Sequence, residues 1–296
     1  MITLNKYIST ALFTIIMSIG LSSCSTIVSD QSLSIGTFNI AWLGDGIDDT
    51  IQRDESDYKR IADVIQESGA EILCLQEIEN STSLDKLITF IPQYKYIIGK
   101  GGRSQNVAVL YKPSVSVDNS YEYLPIAVDP IRNRPGLVFN AKKGNFDCTI
   151  MVVHFKSSSR YDSTEALKIS ARQMRYKQSE IAGKWVDSIL LNTKEQDLFI
   201  IGDFNDFPKR VKDPTLTPLV QNPSLVFLSE NLKSCKYPNL FGIDHIVITK
   251  TSVQRFKKDS EFIINTRSMY DDKIADKISD HCPLLMKFDI QQKDND

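Results

Sequence analysis

From residue 33 onward the chain alternates between short apolar runs of strand length and longer stretches with helical spacing. Runs at 33–41, 71–76, 106–111, 137–140, 149–154, 198–202, 244–249 and 283–290 predict strands, several of them apolar enough to be buried on both faces. Between them, Ile61, Ala62 and Ile65 give residues 58–68 a helical face, with Gly69 as the stop. Leu167, Ser170, Met174, Ile181, Trp185 and Ile189 sketch an imperfect apolar stripe along a long helix at 163–191. Residues 206–218 form a turn-rich loop. No repeat, low-complexity tract or linker divides the pattern, so one α/β domain over 31–290 is expected, with 291–296 as a frayed tail.

The polar residues that interrupt this pattern are of few kinds. Apolar strands stop on Asn39, Glu77, His154 and Asp203, and the last two begin beside Asp244 and His281. One acid at a strand end is usually a turn former or a cap. Six Asn, Asp, Glu or His residues at such positions point instead to functional groups collected on a rigid frame. Oxygen ligands of this kind suit a hard divalent ion, and a histidine oriented by a carboxylate suits proton transfer. The three histidines show no zinc-ligand spacing with cysteine, and there is neither a Walker-type phosphate loop nor a Gly-x-Ser-x-Gly elbow.

Bulk properties narrow the picture further. The 296 residues carry a net charge of −2, so polyanions cannot be held by a uniform positive field. Basic residues occur in small sets, including Arg172 with Arg175, and Lys209-Arg210 with Lys212 directly after the Asp203 loop. Lys6, an apolar run at 8–21 and Leu21-Ser22-Ser23-Cys24 have the order of a signal peptide and resemble the bacterial lipobox. The expectation is a leader over 1–24, lipidation of Cys24 and an extracytoplasmic, membrane-anchored protein, by resemblance in the outer membrane. Cys74, Cys148, Cys235 and Cys282 allow three pairings, although Cys74 and Cys148 sit in apolar strands where buried thiols are expected.

Thr37-Phe38-Asn39, Leu75-Gln76-Glu77, Val153-His154, Gly202-Asp203-Phe204-Asn205, Ile243-Asp244-His245 and Ser279-Asp280-His281, in this order, resemble the endonuclease/exonuclease/phosphatase superfamily. The resemblance implies a deoxyribonuclease I-like four-layer α/β sandwich, two packed mixed, mostly antiparallel sheets flanked by helices. It also implies a metal-dependent phosphodiesterase. By position, Glu77, Asn39 and Asp280 correspond to the metal site; Mg²⁺ is the expected ion, with Mn²⁺ and Ca²⁺ of the same class. His281 corresponds to the histidine that activates water or contacts phosphate, Asp244 to its orienting acid, and His154 to the second histidine. Asp203 and Asn205 correspond to the pair that positions water or phosphate. Arg134 corresponds to a phosphate-contacting arginine, and Gln105 to a polar partner of His154. His245 points to the opposite strand face and is expected to be structural.

The expected substrate is DNA, or nucleic acid broadly, cleaved by a monomer with no protein partner implied. Ile78-Glu79 after the metal acid differs from the repair branch, and Leu240 to Asp244 differs from the inositol phosphatases. The alternatives are a phospholipid, sphingomyelin or inositol-phosphate phosphoesterase of the same superfamily, and a catalytically silent surface lipoprotein with the same fold.

Overall fold

The computed structural model describes residues 31–296 apart from 50, 160 and 295; Cys24 and the leader expected before it lie outside the described residues. In chain order the elements are β1 (Ser32–Leu43), α1 (Glu55–Ser68), β2 (Ile72–Ile78), α2 (Ser81–Ile88), β3 (Lys95–Ile98), β4 (Asn106–Tyr111), β5 (Ser116–Tyr123), β6 (Gly136–Lys143), β7 (Phe146–His154), α3 (Glu165–Asn192), β8 (Leu198–Asp203), α4 (Thr217–Val220), β9 (Leu225–Phe227), β10 (Asp244–Thr249), β11 (Phe262–Ile263), α5 (Thr266–Met269), α6 (Asp272–Ile278) and β12 (Leu284–Asp289). They form two six-stranded sheets, ordered β11-β12-β1-β2-β4-β3 and β5-β6-β7-β8-β10-β9.

Each sheet is antiparallel except for one central parallel pair, β1 with β2 and β7 with β8. A parallel pair needs a crossover, supplied here by α1 and α3, and it brings both strands' carboxyl ends to the same edge. The expected mixed, mostly antiparallel sandwich is thus what the chain builds. Alternation along the strands explains the packing. Ile35, Cys74, Phe139, Ile150, Phe199 and Ile246 meet between the sheets. Their neighbours Leu73 and Leu75 face Tyr58, Ile61 and Ile65 of α1, whereas Ile200 and Val247 face Ala182 and Val186 of α3.

Local chemistry sets the crossovers. Asp54 caps α1 by accepting from the Asp57 backbone N–H while the Asp57 side chain accepts in return, and Gly69 ends the helix at φ 63°. α3 follows the apolar stripe expected of it only in its second half. The second half keeps the expected face, with Trp185 buried beside Ala182 and Val186 and Ile181 and Ile189 packed on the same core, whereas the first half buries Ala171, Arg175 and Gln178 and leaves Leu167 exposed. The first half of that face packs on loop backbone, whose polar groups need partners: Gln178 accepts from the Lys156 N–H and donates to the Ile126 carbonyl.

The end of the chain makes contacts with the domain. Buried Arg255 donates to the Gln292 carbonyl and pairs with Asp294 at 3.2 Å. Among the described residues no helix is long and apolar enough to cross a membrane. Cys235 and Cys282 form a disulfide, and Cys74 and Cys148 are buried free thiols, as expected of those two.

Candidate active site

The two central parallel pairs deliver four functional side chains to one edge. Asn39 lies opposite Gln76 in the β1–β2 register, one residue before Glu77; His154 lies opposite Asp203 across β7 and β8. Antiparallel β10 adds Asp244 opposite Asp203, and the segment entering β12 adds Asp280 and His281. A cleft of about 710 Å³ results, lined by Glu77, His154, Asp203, Asn205, Asp280 and His281, among others.

Asp203 is the hub. Its Oδ1 accepts the Asn205 backbone N–H at 2.8 Å. Its Oδ2 accepts Asn205 Nδ2 at 3.0 Å and Asn39 Nδ2 at 3.1 Å. The same oxygen lies 3.5 Å from His154 Nε2 and 3.9 Å from His281 Nε2. On the far side, His281 Nδ1 donates to Asp244 Oδ2 at 2.7 Å. Ser279 braces this segment, donating Oγ–H to the Asn39 carbonyl and accepting the His281 N–H.

The backbone departs from regular geometry where these side chains are presented. Glu77 (φ 61°), Asn205 (φ 52°), Ala41 (φ 50°) and Trp42 (φ 65°) are all left-handed non-glycine residues. The β1–β2 ladder shifts register between Asn39 and Leu43, and the β2–β4 ladder between Leu75 and Ile78. Such a bulge re-aims the side chain that follows, which is how Glu77 turns from the sheet face into the cleft. Gly202 precedes Asp203 at φ 148°, where a Cβ would lie 1.9 Å from the Val153 carbonyl oxygen. Only glycine permits this approach of β8 to β7.

Burial and neighbouring charge separate the protonation states. Burial alone would lower the His281 pKa, but hydrogen-bonded Asp244, with Asp203 and Asp280, raises it well above the ordinary value. The neighbouring acids therefore favour the imidazolium form of His281. His154 goes the other way: burial first, then Arg134, His281 and Lys156, hold it neutral. Burial pushes the Asp203 carboxyl well up; His281 pulls it back and Asp244 adds to the rise. One histidine favoured as a cation and one favoured as neutral thus flank a carboxyl whose proton affinity is raised.

The model of the endonuclease/exonuclease/phosphatase family matches residues 36–281, most of the chain. The protein belongs to this family. It is accordingly a phosphoester hydrolase that depends on a divalent metal. No curated protein matches the sequence. Solved structures share its fold at low identity. Zebrafish TDP2 complexed with single-strand DNA product is 16% identical, covering 88% of this chain and 100% of its own, with a TM-score of 0.64. The human Nocturnin catalytic domain with bound sulfate is 15% identical, covering 87% and 94%, at 0.63. A Bacteroides thetaiotaomicron mannosyl-6-phosphatase is 15% identical, covering 87% and 99%, at 0.60.

The donor set fits the family's metal. Glu77 and Asp280 line the cleft with Asp203, and among the described residues Glu77 Oε2 accepts no hydrogen bond. Carboxylates around one cleft, with a free oxygen, suit a hard cation that keeps part of its water shell; the ligand atoms that lie within 4.8 Å of one another there belong to Asp203, Asp244 and His281. Asn39, expected at the metal site, is tied to two of the site's acids. Its Oδ1 accepts the Ala41 N–H at 2.9 Å, so Nδ2 faces the acids and donates to Asp203 and, at 3.4 Å, to Glu77. It positions both carboxylates.

Arg134 is buried close enough to Glu77, Asp203 and His154 to act on their charge, and Gln105 lies beside it. Arg134 Nη2 donates to Gln105 Oε1 at 3.1 Å, and both line a neighbouring cavity; Gln105 also reaches the main cleft. Gln105 thus partners Arg134, and His154 Nδ1 has no partner among the described residues. His245 is structural: Nδ1 meets Ser229 Oγ at 2.8 Å, Nε2 donates to the Asp206 carbonyl, and the ring packs on Phe204 and Phe227. Sequence reasoning misses Trp42, which lines the cleft and whose buried Nε1 has no partner among the described residues. Its position three residues past Asn39 on the same strand is the available signal.

Proposed function

We propose that the protein is a Mg²⁺-dependent phosphodiesterase acting on DNA or other nucleic acid, lipid-anchored through Cys24 outside the cytoplasm. The observation that carries the chemistry is the convergence of Glu77, Asp203, His154 and the His281–Asp244 pair on one cleft. A divalent cation on the acidic side would neutralise phosphate charge and support the leaving oxygen. Asp203, held by Asn205 and Asn39 and raised in basicity by burial, accepts the proton of the attacking water. The His281 imidazolium, oriented by Asp244, donates Nε2–H to a phosphate oxygen as negative charge builds there. Neutral His154 offers a hydrogen bond from the opposite wall.

Nucleic acid is favoured by the open cleft and by the fold shared with a TDP2 that holds a single-strand DNA product. The Cys235–Cys282 disulfide supports an oxidising compartment, in keeping with the leader and Cys24. Protein lacking residues 1–24 should hydrolyse single- or double-stranded DNA with Mg²⁺ or Mn²⁺, tested beside RNA, sphingomyelin and inositol phosphates. Turnover that survives EDTA rejects the metal mechanism, and preference for a lipid or a sugar phosphate rejects the substrate. Full-length protein should lose its membrane fraction on Cys24→Ser; retention of fatty acylation rejects the anchor.

A further inference from the structure

Beside the catalytic cleft lies a second concavity of about 320 Å³, lined by Ser158, Arg172, Arg175, Asn205, Arg210, Lys212 and Asp213. Asn205 lines both, so the two spaces share a wall. Their charges are opposite in character. The catalytic cleft gathers Glu77, Asp203 and Asp280, whereas the second gathers four cations against the single lining carboxylate of Asp213.

Those cations come from separate elements, Arg172 and Arg175 from α3 and Arg210 and Lys212 from the loop after β8. Arg175 is 3% exposed and held from beneath: Nε donates to Thr215 Oγ1 at 2.9 Å and Nη1 to the Lys156 carbonyl at 2.6 Å. Nη2 makes no protein hydrogen bond among the described residues and is left for the cleft. Arg210 is steadied by Asp206 and lies over the Phe207 ring. Arg172 is tied to Glu165 at 3.0 Å and to Asp213 at 3.8 Å. Lys212 is exposed and has no ion pair among the described residues. Glu165, Asp206 and Asp213 offset part of this charge, Lys212 and Arg175 Nη2 are left to face a ligand, and guanidinium forks match phosphate oxygens.

We propose that this cleft is the subsite for a second phosphate of the substrate, the neighbour of the scissile phosphate along a nucleotide chain. The proposal rests on the phosphodiesterase reading and deepens it. The reacting phosphate sits among Glu77, Asp203 and His281, the chain passes Asn205, and the next phosphate enters the guanidinium cluster. A zwitterionic phospholipid headgroup has no second phosphate to place there.

Three minimal substrates test this: a thymidine dinucleotide with only its internal phosphodiester, and the same dinucleotide with one added phosphate at either the 5′ or the 3′ end. With Mg²⁺, the parent protein should cleave one phosphorylated form with kcat/KM about tenfold above the plain dinucleotide. Arg172→Gln combined with Lys212→Gln should erase that advantage, and the surface control Lys142→Gln should keep it. Equal cleavage of all three by the parent, or an advantage that survives the double variant, overturns the subsite.

Binding supplies a readout free of turnover. In EDTA, a fluorescein-labelled thymidine hexanucleotide should bind the double variant about tenfold more weakly, with a log Kd–log salt slope shallower by about 0.7 for each phosphate that is no longer neutralised. Unchanged affinity and slope overturn the subsite. If no nucleotide is cleaved but this difference in binding persists, the nuclease reading falls and the anion subsite stands.

Discussion

Replacing Asp244 by Asn isolates the one interaction that sets the charge of His281. The carboxylate accepts Nδ1–H at 2.7 Å, with the two side chains 15% and 14% exposed. At that distance a full ion pair is worth about 6 kcal/mol in a medium of effective dielectric near 20 and about 1.5 kcal/mol in bulk water. The slight exposure sets it between these limits, at roughly 3 kcal/mol. If most of that acts as phosphate charge develops, turnover should fall about 10²-fold, within a range of about 10 to 10³. Asparagine is nearly isosteric, but it presents either an acceptor of weaker pull or an amide that forces the other imidazole tautomer. The assay is kcat on a chromogenic phosphodiester with saturating Mg²⁺, beside a thermal melt to show that the fold is intact. A folded Asp244→Asn protein with kcat within threefold of the parent would refute the assignment of His281 as an imidazolium held by Asp244.

Other expectations follow from the same structure. The Cys235–Cys282 bridge closes a loop of 47 residues, a closure worth about 4 kcal/mol by chain entropy, so dithiothreitol should lower the melting temperature by several degrees; an unchanged melt would deny the bridge a stabilising role. Gly202→Ala should lower the melting temperature by several degrees or more, because its Cβ has no space against Val153 and backbone strain of this kind alone costs on the order of 3 kcal/mol; a normal melt would contradict the close approach. Burial pushes Glu195 up to about 7 and Asp197 up to about 6. For an acid whose folded pKa is raised, the stabilising contribution is full below the unfolded value and is lost as pH rises through the folded one, here between about 4 and 7. Asp197→Asn should flatten the fall in stability over that window, and an identical slope would rule the group out. Glu77→Gly should abolish metal-dependent turnover yet melt no lower than the parent in EDTA, since a left-handed side chain costs about 1 kcal/mol.

Much of this was readable from residue order, and the exceptions have physical causes. The strands over 106–111 and 244–249 fall where their apolar runs lie, because both are buried and their neighbours are turns. The edge strand β5, with Asp118, Asn119 and Glu122, buries too little to carry an apolar period, and two-residue β11 is too short to show one. The first half of α3 misleads because its inner face satisfies backbone groups as well as apolar ones. In the site, the identities of Glu77, Asp203 and His281 were visible as polar strand ends. The orientation of Asn39 was not, because it depends on the Ala41 N–H, which a register shift presents. Nor could the Gln105–Arg134 pair be seen, for it joins residues 29 positions apart through loop geometry alone.

The left-handed backbone at Ala41, Trp42, Glu77 and Asn205 bears on how such a protein changes under selection. Each of these positions works against the fold in order to aim a side chain or a loop at the cleft. A library of variants enriched for heat resistance alone would therefore gather relaxing replacements at these positions and drift towards hardy, inert protein. Stabilising changes compatible with turnover should be sought elsewhere, in the sheet interface and on the outer helices, where conformation and chemistry make no competing demands.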